Sequence, residues 1–341
     1  MKYLRHLITL LVLPGFLVAC IGGQPDQVAI NTTPDDESGL GGTGIIGTIT
    51  GFGSIFVNGA EVEIDHHTQL SVDGRKVAAY TFARGEVVEI LATGSGLMQA
   101  RQLEVRHEVI GPVEQVEAET GQFRVLGQTV KRTGTSGKLP KPGDRVKVSG
   151  FRNDAGMIYA THIAPAGKTQ ALITGVITRT HSGIFHIGEQ SILLRNGSAV
   201  RPGTTIRVSG KVQHGVLNAD RVTTLNSLPF SHAVHRLLVQ GFIHTLPGQD
   251  YRIDHIPLDL PAKTSSVLPL AGKTTPLRLE MQRRAGSRHW IPVRVISDTG
   301  LPVGKPYPAL RGGSPRRSPG MPSMPMGGMP GMGGMGGMRG R

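Results

Sequence analysis

Gly42, Gly44 and Gly47, in "GTGIIG", have the G-x-G-x-x-G spacing with which a tight turn and a helix N-terminus hold a pyrophosphate. That chemistry needs a strand before the glycines and a helix after them. Upstream stands "NTTPDDESGLG", polar turn formers without an apolar run. Downstream, "TITGFGSIFVNGAEVEI" alternates and is rich in β-branched and aromatic residues. The glycines therefore read as part of a strand, and no nucleotide cofactor is expected. "GKT" at 167–169 and 272–274 resembles the end of a phosphate loop, but the first glycine of that motif would fall on His162 and Val267. "RHEVIG" begins like a zinc-helix motif and lacks the second histidine. Asp65-His66-His67, and His232 with His235 in "SHAVH", could ligate a metal. Surface histidines on a basic chain are the commoner reading, so no metal site is assigned. Ser54 in "GFGSI" continues a strand, and the carboxylates are too scattered to name an acid–base pair. No catalytic residue is assigned, and the chain is expected not to be an enzyme.

One residue does carry a specific chemistry. "MKYLRH" is a basic opening, "LITLLVLPGFLVA" an apolar run too short to span a bilayer, and "LVAC" places Cys20 directly after it. Leu17, Val18 and Ala19 before Cys20 resemble the bacterial lipobox, in which the cysteine is lipidated and becomes the first mature residue. Cys20 is the sole cysteine of 341 residues, so no disulfide forms within one chain. The expected location is the cell envelope, with the chain held at the membrane by its lipid. Ile21, rather than Asp, favours the outer membrane by resemblance to lipoprotein sorting rules.

The remaining sequence repeats. A glycine followed two residues later by Ile or Val recurs at Gly47, Gly111, Gly175 and Gly241, and a second strand follows each: "IFVNG", "FRVLG", "FHIG" and "YRID". Three units then show a glycine turn and alternation ("RGEVVEIL", "PGDRVKVSG", "PGTTIRVSG"), closing on Gly-x-x-x-Ala in "GLMQA", "GMIYA" and "GVLNA". The fourth unit is degenerate and is read with Trp290 in the place of that Ala. Period-2 alternation with glycines at fixed offsets predicts small barrels. The fold class expected is all-β: about four tandem OB-like barrels of ~60 residues and a disordered C-terminal tail. The boundaries are 1–19 signal peptide, 20–44 flexible linker, repeats at 45–110, 111–167, 168–229 and 230–300, and a Gly/Met/Pro/Arg-rich tail at 301–341.

"GTGIIGTITGFGSIFVNGAEVEI", with "DGRKV" and "GEVVEI" after it, resembles the start of the bacterial domain-of-unknown-function family numbered 5666. The resemblance covers about 43–229 and fades beyond. It implies tandem β-rich domains that are often secreted or lipid-anchored, and it brings no catalytic residues.

Charge is uneven: residues 21–120 hold 15 Asp/Glu against 5 Lys/Arg, and residues 121–341 hold 9 against 30. A basic half suits an anionic partner, or contact with the acidic half. Aromatics are few, and Phe123, Phe185 and Tyr251 fall at repeat core positions. Nucleic acid, which would want exposed stacking rings, is therefore not expected as a partner. Anionic glycans, lipid head-groups or envelope proteins are. The alternative class is Cu(I) handling by the tail, where Met321, Met324, Met326, Met329, Met332, Met335 and Met338 stand among Gly and Pro. An uncharacterised enzyme is the third. The function expected is a non-enzymatic envelope lipoprotein acting as a binding or scaffolding module.

Overall fold

The computed structural model describes residues 42–134, 137–181, 184–194, 200–225, 228–230, 234–245, 251–260, 275–283, 289–296 and 302–303. Strand β1 (Gly42–Gly51) is buried along its first eight residues without alternation. It is paired antiparallel to β6 (Val87–Thr93) and parallel to β18 (Val234–Gly241), and both its faces are covered: Ile45 and Ile49 enter the core of the first barrel and Ile46 that of the fourth. By contrast β7 (Leu97–Arg106) alternates, with Met98, Ala100, Leu103 and Val105 turned inward.

Each repeat closes into a five-stranded ring. In the first, β1 pairs β2 (Ile55–Val57), β2 pairs β3 (Ala60–Glu63), β3 runs parallel to β7, β7 pairs β6 and β6 returns to β1. The second repeats this order with β8 (Val109–Glu117), β9 (Gln122–Val125), β10 (Gln128–Arg132), β12 (Ile158–Pro165) and β11 (Arg145–Arg152). The third uses β13 (Ala171–His181), β14 (Ile184–Ile187), β15 (Gln190–Leu194), β17 (Val216–Thr224) and β16 (Thr205–Gln213). In the fourth the opening strand is broken at Phe242 into β18 and β19 (Ile243–Thr245). It continues through β20 (Tyr251–Ile253), β21 (Ile256–Leu258), β23 (Trp290–Ile296) and β22 (Leu277–Arg283) back to β18. The protein is thus a tandem of small closed barrels of OB-like topology, with the third and fifth strands of each parallel. The first barrel adds a hairpin, β4 (Gln69–Val72) with β5 (Arg75–Lys76), on the outer edge of β7.

The strand-opening glycines have one steric role in all four units. A Cβ on Gly47 would lie 2.4 Å from Asn58 Oδ1, on Gly111 2.6 Å from Leu126, on Gly175 2.5 Å from Ile187 and on Gly241 3.1 Å from Ile253. The hairpin after the opening strand folds back onto that glycine, and a side chain there would hold it off. A second element recurs in three units. Gly85, Gly143 and Gly203, all at φ between +84° and +88°, each donate their N–H to the carbonyl of Ile49, Val113 or Ile177 at 2.8 Å. Those three residues donate back to Glu86, Asp144 and Thr204. The positive φ is the conformation a glycine adopts without a steric cost.

Three expectations need correction. Gly42–Gly44, placed in the linker, are strand, because β6 and β18 pair with them from both sides. Val109 and Ile110, placed at the end of the first repeat, open β8 of the second barrel. Trp290 does not occupy the position of Ala100, Ala160 and Ala219. Those alanines pair with Ala92, Gly150 and Gly210 just past a bulge, and the residue opposite the equivalent Met281 is Pro292. Trp290 pairs with Leu258 as Met98, Ile158 and Leu217 pair with Val62, Val130 and Ile192. It fills the core of the fourth barrel at 2% exposure. In the tail, Pro302–Val303 form a short strand, β24, on β23.

The barrels pack as a cluster. The second and third share one apolar core, from Phe123 and Val148 to Ile192 and Leu217, and β8 pairs with β13 across it. Val87, Phe151 and Phe242 form a small cluster from three different barrels, with the Tyr159 and Phe242 rings 4.8 Å apart. Barrels of about 60 residues bury too little surface to be robust alone, and these contacts supply what each lacks.

Candidate ligand cleft between the barrels

The residues singled out in the sequence fall into different surroundings. Gly42, Gly44 and Gly47 lie inside β1, where a Cβ would strike Leu91, Leu237 and Asn58 respectively, so their spacing serves close strand packing. Gly167–Thr169 forms a turn whose carbonyls accept from Arg145, at 3.2 Å on Gly167 and 2.7 Å on Thr169. Asp65, His66 and His67 lie together at the surface with potential ligand atoms within 4.8 Å. The Asp65 carboxylate caps its own turn, accepting from the N–H of His67 and Thr68. His235 is exposed on β18; Cys20, His232, residues 272–274 and the seven tail methionines lie outside the described residues.

"RHE", read as the start of a zinc motif, is the hub of the molecule. It links β7 to β8, and Arg106, His107 and Glu108 are all nearly fully buried. Arg106 reaches Glu89 at 3.0 Å in the first barrel, Glu108 at 3.7 Å and Asp254 at 2.6 Å in the fourth. Burial alone would lower the guanidinium, but the Asp254, Glu89 and Glu108 carboxylates outweigh it and raise it above its ordinary value. Burial likewise works to raise Asp254, and Arg106 with His255 overcomes that and holds its carboxyl far below the usual range. Glu108 moves the other way, since burial outweighs Arg106 and Arg152. Asp254 sits at the apex of the β20–β21 hairpin with φ +56°, where the other three apices contain Gly59, Gly127 and Gly188. Further pairs tie the barrels: Arg207 with Glu104 between the third and first, and His107 with Asp73 at 2.8 Å.

Beside this hub opens a cleft of about 730 Å³ between the second, third and fourth barrels. Arg152 lies on its wall with both terminal nitrogens committed, to Gln128 Oε1 (2.9 Å), the Gly156 carbonyl (2.6 Å) and the Thr174 carbonyl (2.6 Å). Burial lowers its guanidinium from the ordinary value, with Glu108 acting against that. Gln128 in turn donates to the Leu126 and Ile187 carbonyls, joining the second barrel to the third. His244 Nδ1 lies 2.6 Å from Asp154 Oδ1 and joins the fourth barrel to the second. Burial depresses this imidazole despite the carboxylate, so it is neutral at pH 7. Arg252 completes the wall. Sequence reasoning missed every one of these side chains, because they come from three units and no local spacing connects them. The one available signal was the departure of "IDHI" from the glycine apices of the other units.

The model of the family described as "Domain of unknown function (DUF5666)" matches residues 43–104 and 110–164, the first two barrels. No curated protein matches the chain. Among solved structures, one described as "drosophila Unr CSD456" aligns at 14% identity over 50% of this chain and 84% of that one, with a TM-score of 0.16.

Proposed function

We propose that this protein is a non-enzymatic binding or scaffolding module of the cell envelope, anchored through lipidated Cys20 and directed at anionic envelope polymers. The observation that carries the reading is the junction itself. The acidic, basic and imidazole side chains that could do chemistry are spent on holding the barrels together, as with Arg106, Glu89, Glu108, Asp254, Arg152, His244 and Asp154. What such an assembly offers a partner is a fixed surface with a polar cleft. The excess of Lys and Arg after residue 120 supports an anionic partner, and the basic n-region, apolar run and "LVAC" at 17–20 support the anchor.

The test is co-sedimentation of the full-length mature chain with purified anionic envelope polymers at low and at high salt. Binding is expected at low salt and is expected to fall steeply as salt rises, since exposed charges are screened within about 10 Å at 0.1 M. Absence of binding to every polymer of the panel, or binding indifferent to salt, would overturn the polymer reading.

A further inference from the structure

The geometry points to the inter-barrel cleft as a binding site for a carboxylated sugar, with Arg252 as the group that takes the carboxylate. This rests on the proposed anionic-polymer function and gives it a location and a ligand chemistry. The inference comes from accounting for the charges around the cleft. Glu108 is held by Arg106 and Arg152, Asp254 by Arg106 and His255, and Glu189 by Arg124, while Asp154 is hydrogen-bonded by the neutral His244. Arg152 has spent its terminal nitrogens on carbonyl and amide oxygens. Arg252 alone among the cleft cations has no such partner among the described residues, and its Nε, like that of Arg152, is buried without a hydrogen bond. A buried guanidinium donor without an acceptor is costly unless something fills the position, and a carboxylate matches its planar fork with two parallel hydrogen bonds.

The rest of the lining sets the ligand class. Thr129, Thr178, Thr205, Thr245 and Asn153 place hydroxyl and amide groups around the space, which suits a ligand bearing many hydroxyls. Among the described residues no Phe, Tyr or Trp lines it, so a nucleobase would find no large ring to stack on. The neighbouring carboxylates of Asp154, Glu189 and Asp254 disfavour a dense polyanion such as a phosphate chain more than a carboxylated sugar, which carries one charge per ring. The volume, about 730 Å³, is within the range of small-ligand clefts and accommodates a short run of sugar rings.

The experiment is calorimetric titration of the full-length mature chain with trigalacturonate, and with its methyl ester as the uncharged counterpart. Trigalacturonate is expected to bind, and the ester at least about tenfold more weakly, the loss that goes with one charge-assisted fork. Arg252→Gln is expected to lose the same factor for the acid and to leave the weak ester binding unchanged, with a far-UV spectrum and melting temperature like those of the parent. Arg252→Lys keeps the charge without the fork and should fall between them. Lys211→Gln, an exposed change on β16, should bind like the parent. Equal affinity of parent and Arg252→Gln for trigalacturonate, or no discrimination between acid and ester, overturns the inference. So does failure of the parent to bind trigalacturonate while it sediments with another anionic polymer, an outcome that leaves the general reading standing.

Discussion

Replacing Arg106 with methionine removes the one cation shared by the buried carboxylates of Glu89 and Glu108 and the partly buried one of Asp254. Glu89, Glu108 and Asp254 all lie within 3.7 Å of its guanidinium, and its side chain is 2% exposed. Methionine keeps most of the volume, so the loss is chiefly electrostatic. Removing one side of a buried pair typically costs about 3–5 kcal/mol, because a charge is left buried without compensation. Arg152 remains 3.6 Å from Glu108, which keeps the expected cost inside that range. For a molecule of this size each kcal/mol moves the melting temperature by about 2–4 °C, so a fall of roughly 6–20 °C is expected. The pH dependence separates this cause from simple loss of packing. In the parent, the folded Asp254 pKa is depressed, so its contribution is present above its unfolded pKa of about 3.9 and is lost as pH falls through the folded value. In the variant the three carboxylates crowd with only Arg152 and His255 beside them and take up protons more readily folded than unfolded, so stability rises as pH is lowered from 8 to 5. Urea and thermal unfolding followed by far-UV circular dichroism at pH 5 and 8 measure both quantities. A cost under about 1 kcal/mol, or a variant more stable at pH 8 than at pH 5, would refute the role given to this hub.

Gly85→Ala and Gly143→Ala test the repeated turn. Both residues hold φ near +87°, which alone costs an alanine about 1 kcal/mol or more, but a Cβ on Gly143 meets nothing, whereas one on Gly85 falls 2.2 Å from the Thr161 carbonyl of the second barrel. Gly85→Ala should therefore destabilise clearly more than Gly143→Ala in denaturant titrations, and equal losses would count against a rigid contact between the first two barrels. Cys20→Ser should leave an unprocessed or mislocalised precursor, seen by gel mobility and fractionation. A serine variant that matures and stays with membranes would end the anchor proposal.

Much of the fold was legible because it is local. The glycines at 47, 111, 175 and 241 appear in the sequence at near-constant spacing, and the steric need for them arises within some 15 residues, where a hairpin folds back on its own opening strand. Val88, Ile90, Val146, Val148, Ile206 and Val208 were likewise readable as core from period 2, and all are buried. What escaped was everything between units. The pairing of β1 with β18 joins residues 192 positions apart, and the Arg106–Asp254 contact spans 148. Neither leaves a pattern in either segment alone, since a buried arginine and a surface arginine are the same letter. Trp290 was misplaced because the fourth unit lacks the Gly-x-x-x-Ala frame, and strand register there is set by the bulge between Glu280 and Met281.

The pairing of β1 with β18 also fixes the order in which the molecule can be completed. A chain that emerges from a ribosome or a translocation channel delivers β1 first, and its partner follows nearly two hundred residues later. Until then the first barrel can close on itself through β6, but one long edge of its opening strand stays unpaired, with Ile46 waiting for Leu237 and Val239 to cover it. Contacts of such high sequence separation form late and slowly, and an open apolar edge is a template for pairing with another chain. The span over which the chain is delivered is therefore also the span over which it is most exposed to misassembly. A chaperone that shields strand edges would act on this protein at β1.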